Sequence, residues 1–210
     1  SVDGIACYAP YPVSITLDGD TSDWEYVPRV SLSGEGDESE SLTFAVAADE
    51  ENLYFLADVQ DSHIISGYFE ALTEWYMEDS VEFYLNTTGD LTLPAYETGV
   101  AQIGMVAANI DEPGNALFGG GNSVDSDVTI TAIETEGGYL IEASVPLVND
   151  AWTIEPEHLA ELGFQVHLNG ASSPEDSQST KLIWSAADTQ DQSWQDPSVF
   201  GRLIFWDVSQ

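Results

Sequence analysis

The sequence predicts an all-β fold, an antiparallel β-sandwich of jelly-roll or immunoglobulin-like form with about ten strands. Three observations carry this. Short segments alternate apolar and polar residues with a period of two, the pattern by which a strand turns one face to a core and the other away from it. Gly, Pro, Asn and Asp punctuate those segments and supply the backbone conformations that turns need. Helical character is confined to Glu157-His158-Leu159-Ala160-Glu161, enough for a turn or two. No low-complexity linker and no internal repeat breaks the pattern, so residues 1–210 read as a single domain, long enough to bury a substantial core.

The elements follow in order. Val13 to Leu17 alternates as a first strand before the turn Asp18-Gly19-Asp20. Leu42, Phe44 and Val46 share one strand face, and Asn52 to Val59 is apolar enough to be buried on both faces. Val81, Phe83 and Leu85 alternate with Glu82, Tyr84 and Asn86. Gly114 to Asp127, with three successive glycines, reads as a long loop. Val128, Ile130 and Ala132 then lead through the Gly137-Gly138 hairpin into Tyr139 to Val145. Phe164, Val166 and Leu168 alternate with Gln165, His167 and Asn169, and Lys181 to Trp184 and Leu203 to Trp206 close the series.

Charge narrows the partners. Thirty-eight Asp and Glu stand against Arg29, Lys181 and Arg202, a formal net charge of −35. Such a surface repels phosphate backbones and anionic headgroups, which excludes nucleic acid and membrane surfaces as partners. No run approaches the roughly 20 apolar residues of a membrane-spanning helix. Acids spread along the whole chain fit a saline or marine setting, where counterions screen self-repulsion. Cys7 is the only cysteine, so no internal disulfide forms, and it reads as a buried thiol.

Two segments share a layout. Trp75-Tyr76-Met77-Glu78-Asp79-Ser80-Val81-Glu82-Phe83 and Ser193-Trp194-Gln195-Asp196-Pro197-Ser198-Val199-Phe200-Gly201 each set an aromatic residue in a polar loop and then enter a strand. A pyranose presents C–H groups on its faces and hydroxyls around its rim. Flat aromatic faces bury the first at little entropic cost, and carboxylates and amides bond the second. Trp194, with Tyr76 or Trp75 opposite, therefore forms a candidate sugar pocket. Glu82 points away from the Val81–Phe83 side, and Asn169 is a candidate pocket amide. Trp24, Trp152, Trp184 and Trp206 read as packing.

Taken together, Ile15-Thr16-Leu17-Asp18-Gly19-Asp20 with Asp23-Trp24, Asp49-Glu50-Glu51-Asn52-Leu53-Tyr54-Phe55 with Asp61, Asp79-Ser80-Val81-Glu82-Phe83, Gly138-Tyr139-Leu140-Ile141-Glu142-Ala143, Gly163-Phe164-Gln165-Val166 and the Trp194 segment resemble, in order and spacing, the family 9 carbohydrate-binding modules among the DOMON-like β-sandwiches. The resemblance implies a non-catalytic module that holds a chain-end sugar of a polysaccharide or oligosaccharide between two aromatic rings. One ring falls on Trp194; the other falls on Tyr76 without a gap, or on Trp75 with one inserted residue. The family's strand carboxylate falls on Glu82, an amide of the pocket on Asp191, and a cationic residue on Gly104, where this chain has lost it. It further implies structural calcium, no organic cofactor, an extracellular location and a catalytic domain tethered in the same polypeptide. Asp18 and Asp20, with Asp23 close by, form the best local cluster of hard oxygen ligands for such an ion.

Two other readings are weighed. Some DOMON-like sandwiches bind b-type haem, for which Met77 and His167 are the candidate axial ligands. A glycoside hydrolase needs two carboxylates flanking a cleft, and 38 acids make some such pair inevitable without pointing to one. No metalloprotease, nucleophile-elbow or phosphate-loop motif occurs, so the expectation is a binding module and not an enzyme.

Overall fold

The alternating residues line up into two facing sheets. In the computed structural model, residues 6–34, 40–69, 74–107 and 127–209 are described. Eleven strands lie among them: β1 (Ala6–Tyr11), β2 (Arg29–Ser33), β3 (Ser41–Ala48), β4 (Asn52–Gln60), β5 (Ser80–Asn86), β6 (Val100–Val106), β7 (Thr129–Thr135), β8 (Gly138–Pro146), β9 (Glu161–Gly170), β10 (Thr180–Ile183) and β11 (Gly201–Asp207). One sheet has the order β1-β11-β9-β5-β6, and the other β2-β3-β4-β8-β7. Strand β9 is long enough to take two neighbours on one edge. β11 pairs with its Glu161–Phe164 end and β10 with its His167–Gly170 end. Pairing is antiparallel throughout, apart from β1 alongside β11.

Aromatic residues from both sheets fill the space between them. Phe55 of β4 stacks on Phe83 of β5 with centroids 4.6 Å apart, and Phe164 of β9 lies 6.0 Å from Phe83. Trp184 closes the cluster edge-on against Phe44 and Phe164. Each fully buried Phe contributes about 1.5–3 kcal/mol by leaving water, so this cluster is a principal link between the sheets.

Several sequence expectations meet a different arrangement. Val13 to Leu17 alternates but forms no ladder. The segment lies across the outer face of the second sheet, where Ile15 is buried with Trp24 and Val27 against Ala45, Ala47, Tyr54, Leu56 and Leu140, flanked by Val13 and Leu17. An extended segment resting on a sheet face has the same period as a strand. β1 and β2, which flank it, were not foreseen. The helical expectation over Glu157–Glu161 gives way to a turn closed by Ala160 N–H donating to Glu157 C=O, with Leu159 at φ +67°, before β9 begins. Trp24, Trp152 and Trp184 are buried as packing residues, but Trp206 is 46% exposed, edge-on to Tyr8 and His158. All of the Gly114–Asp127 loop except Asp127 lies outside the described residues.

The Asp18-Gly19-Asp20 turn owes its position to an acid on the opposite strand. Glu142 of β8 is fully buried. Its Oε2 accepts from the amides of Asp18 (3.0 Å) and Gly19 (2.6 Å), and its Oε1 accepts from Trp24 Nε1 (2.8 Å). Gly19 has φ +81°, and a Cβ there would lie 2.8 Å from Ile133 Cδ1, so the turn needs glycine for both conformation and contact. Removing Glu142 leaves three inward-facing donors without a partner, at about 1–3 kcal/mol for each one left dry. Glu142→Ala is therefore expected to cost at least about 3 kcal/mol in a urea unfolding curve, and Glu142→Gln, which keeps one acceptor, clearly less.

Candidate functional site

Period-two alternation on three neighbouring strands of the first sheet builds a polar grid on its outer face. In register, Glu82 of β5 stands between Gly104 of β6 and His167 of β9. One row along, Tyr84 stands between Gln102 and Gln165; in the other direction Ser80 faces Asn169, which in turn faces Lys181 of β10. All seven residues of β5 are buried, because loops roof this face too: Val199 and Phe200 pack on Tyr84 with Leu93 and Tyr96.

The grid cages one carboxylate. Glu82 is 2% exposed. Its Oε1 accepts from Asn169 Nδ2 (2.7 Å) and Lys181 Nζ (3.0 Å); its Oε2 accepts from Gln102 Nε2 (2.8 Å) and from the Tyr84 hydroxyl. Burial alone would raise its pKa. The Lys181 ammonium outweighs that, helped by His167, Tyr84 and Asn169, and holds the group at about 2. Tyr84, itself buried and beside this negative charge, is pushed well above its ordinary value and stays a donor. Lys181 also donates to Asn169 Oδ1 (2.7 Å) and lies 3.4 Å from Asp191 Oδ1.

A second acid organises the loop that carries Trp194. Asp188 is buried at the foot of this loop. Its oxygens accept from the amides of Gln192 (2.8 Å) and Ser193 (2.9 Å) and from the Ser193 hydroxyl (2.5 Å). Burial opposes its ionisation, but His167 and these donors prevail and set it well below the usual carboxylate range. His167 is fully buried, with Nε2 3.6 Å from Asp188 and Nδ1 3.5 Å from Asp191. So anchored, the loop puts Asp191 at φ +52° and turns the Trp194 ring outward, 54% exposed, with Nε1 donating to Asp191 C=O.

The two aromatic candidates at the other flank take opposite roles. Trp75 is 3% exposed and lies flat over Gly104, where a Cβ would come within 2.5 Å of its Cζ3. Tyr76 is 40% exposed and stands edge-on to Trp75, with centroids 6.0 Å apart and its carbonyl accepting from Gln178 Nε2. Tyr76 thus presents the free ring, and Trp75 is the floor that supports it. The cation missing at Gly104 has its space taken by that indole, and Lys181 supplies positive charge from the opposite side of Glu82. Asn169 is fully buried and bonds Ser80 Oγ (3.0 Å) as well as Glu82, so it orients the carboxylate from behind. Asp191, its side chain 44% exposed, reaches the surface beside Lys181.

Sequence reasoning passed over Lys181, Tyr84, Gln102 and Asp188. The available signals were slight: Lys181 is one of three cations in the chain, and Tyr84 and Gln102 sit two residues from Glu82 and Gly104 on their strands. Of the haem candidates, His167 is enclosed by Asp188, Asp191 and Tyr84, and Met77 lies in the short turn after Tyr76. Asp18 and Asp20 are exposed, and each uses one oxygen to accept an amide of its own turn (Asp20 and Ser22).

A β-sandwich with a caged carboxylate and two exposed rings on one sheet face has the build of a ligand-binding module. The model for the carbohydrate family 9 binding domain-like family matches residues 24–207, and the chain belongs to that family, whose members bind without catalysing. It is 30% identical over 193 residues to endo-1,4-beta-xylanase A of Thermoanaerobacterium saccharolyticum, covering 90% of this chain, and 31% identical to the enzyme of the same name from Thermotoga neapolitana, covering 89%. An exoglucanase XynX of Acetivibrio thermocellus is 29% identical across 90% of the chain. The chain spans only 15–16% of the length of these relatives. In fold it is similar to a family 9 carbohydrate-binding module of Caldicellulosiruptor kristjanssonii, solved in complex with cellotriose, with TM-score 0.78 at 22% identity over 96% of this chain and 94% of that one.

Two outcomes follow from the site's packing. Because Trp75 presses on Gly104, Gly104→Ala is expected to cost about 1–3 kcal/mol by overpacking, read in chemical unfolding, and Trp75→Ala about 3–5 kcal/mol by leaving a cavity. Because Glu82 titrates near 2 when folded against an ordinary value of 4.5, its ionisation stabilises the fold fully above pH 4.5, and that contribution disappears as pH falls towards 2. At 1.36 kcal/mol per pH unit it is on the order of 3 kcal/mol. The stability gap between the native chain and Glu82→Gln should therefore stay level from pH 7 to 5 and close between pH 4.5 and 2.

Proposed function

We propose that this module binds the terminal pyranose of a neutral β-linked glycan, glucan or xylan, between Tyr76 and Trp194. The observation that carries the reading is the pair of exposed rings flanking the Glu82 cage on one sheet face. Gly104, under the Tyr76 flank, and His167, under the Trp194 loop, lie two strand spacings apart, about 10 Å, a width suited to one sugar ring between two aromatic faces. Asp191 and Lys181 reach the surface at its edge and can bond hydroxyls with charge-assisted hydrogen bonds. Glu82, already satisfied on four sides, holds Lys181 in place.

The relatives support the choice of ligand. A similar module was solved with cellotriose and again with glucose, and the enzymes of similar sequence are xylanases and an exoglucanase. The net charge of −35 disfavours uronate or sulfated chains. The chain's small share of its relatives' length supports a module tethered to a catalytic domain in a secreted polypeptide. The acidic surface suits a saline extracellular medium.

Calorimetric titration with cellobiose, xylobiose and laminaribiose, in salt and calcium, tests the reading. The native chain is expected to bind at least one disaccharide with a dissociation constant of roughly micromolar to millimolar order. Trp194→Ala and Tyr76→Ala, which truncate exposed rings and leave the fold intact, should each weaken that binding about tenfold or more. Binding that persists unchanged in both variants, or no heat with any of the three sugars, refutes the assignment.

A further inference from the structure

The polar grid under the sugar site is covered differently at its two ends. At the Tyr84 end, Val199, Phe200, Leu93 and Tyr96 pack together against Tyr84. At the other end the covering turn, residues 67–69, carries an aromatic ring outward: Tyr68 is 64% exposed.

The period of two places this turn on the face of the site. Glu78 is extended, with φ −124° and ψ −178°, and lies two residues before Ser80. Its side chain therefore follows those of Ser80, Glu82 and Tyr84 on the outer face of the first sheet. Glu78 is 1% exposed; its Oε2 accepts from the Tyr68 amide (3.0 Å), and the Phe69 and Gly67 amides also donate to its carboxylate. Burial outweighs these donors and lifts Glu78 above the ordinary carboxylate range. Asp79, facing the other way, ties the start of the same loop. It accepts from the amides of Ile65 (2.5 Å) and Ala171 (2.8 Å), and its own amide donates to Ile65 C=O (3.0 Å). One of its oxygens also lies within 4.8 Å of a carboxylate oxygen of Glu40 and one of Asp61.

Residues 65–69 are thus held by two consecutive buried acids, directly after the Tyr76 turn. Asp188 holds the Trp194 loop in the same manner, a buried acid gathering loop amides beneath an outward ring. A ring fixed from below loses little freedom when it meets a ligand.

We propose that Tyr68 is an outer subsite of the glycan site and stacks on a sugar unit beyond the terminal one. This rests on the reading that the terminal pyranose sits between Tyr76 and Trp194. Glu78 lies four residues from Glu82 on an extended segment, about 14 Å away. That is too far for the terminal ring and within reach of units further along the glycan. The packed cover at the Tyr84 end leaves the glycan to run towards Tyr68. Stacking reads the C–H face of a ring and asks for no particular hydroxyl, so glucan and xylan both satisfy it. The full ligand is then a chain end of at least three units, and a disaccharide fills only the inner part.

Calorimetric titration with cellobiose, cellotriose and cellotetraose tests this on the native chain, Tyr68→Ala, Tyr68→Phe and Trp194→Ala. The native chain should bind cellotetraose about threefold to tenfold more tightly than cellobiose. Tyr68→Ala should bind cellobiose as the native chain does but lose that gain, with its unfolding midpoint unchanged because the ring is exposed. Tyr68→Phe, which keeps the ring, should retain the gain, and Trp194→Ala should weaken binding of all three sugars. Equal native affinity for the three sugars, or an undiminished gain in Tyr68→Ala, overturns the subsite and leaves the terminal pocket standing. Weakened cellobiose binding in folded Tyr68→Ala overturns it too, by moving Tyr68 into the terminal pocket. Three sugars that bind Trp194→Ala as tightly as the native chain remove the terminal pocket, and the subsite with it.

Discussion

A buried carboxylate holds its charge only where the surroundings supply donors and an opposite charge in the right places, and Glu82 imposes that requirement on its whole sheet. Four groups from four strands meet it: Tyr84 from β5 itself, Gln102 from β6, Asn169 from β9 and Lys181 from β10. Each reaches the carboxylate only if its strand is in register, because a shift of one residue would turn these polar groups into the core and the apolar ones out. The same registry aligns Phe83 and Phe164 on the inner face. The sheet interior and the site are thus two faces of one pairing.

Trp75 and Gly104 show how a surface feature is built from beneath. A flat ring laid on a strand needs that strand to present no side chain, and glycine is the residue that does so. The strand is weakened locally by losing a side chain at that point, and the indole replaces the lost contact by covering it. Tyr76 then stands on the edge of the indole, with its orientation set by a neighbour that is itself fixed. A ring pre-positioned in this way loses little freedom on binding, which matters most for a small ligand whose contact area is limited. The Trp194 loop reaches the same end by polar means, with Asp188 gathering its amides.

How much of this could be read from the residues follows from which physical signals are local. Alternation in Val81–Leu85 and Phe164–Asn169 is local and fixed both the strands and the outward side of Glu82 and Asn169. Alternation in Val13–Leu17 was equally clear, yet it reports only that one side of an extended segment is buried, not that its edges are paired. β1 escaped notice because the side chains it sends into the core, Cys7 and Ala9, are too small to mark an alternating face, and Trp206 was read as packing because exposure depends on whether another layer covers that face. Trp75 and Tyr76 could not be separated in sequence, since the difference between them is the contact of Trp75 with Gly104, 29 positions further along. Lys181 was legible only as a rarity. Its role depends on β10 pairing with the far end of β9, which no spacing within Lys181–Trp184 encodes.

The two acid clusters of this sandwich answer the same electrostatic problem in different ways. Around Glu82, one ammonium and three neutral donors keep a single carboxylate ionised far below its ordinary range. Around Asp79, three carboxylates share a few amides and no cationic side chain, and Asp79 and Glu40 move up towards neutrality instead. A chain with three cations among 210 residues cannot pair every buried acid from its own sequence. It places its one lysine beside Glu82, the most enclosed of the ionised acids, where the fold holds the charge fixed and oriented. On this argument, scarcity of lysine and arginine is what separates the Glu82 cage, organised by a covalently attached cation, from the Glu40–Asp61–Asp79 cluster, where Asp79 and Glu40 rise towards neutrality.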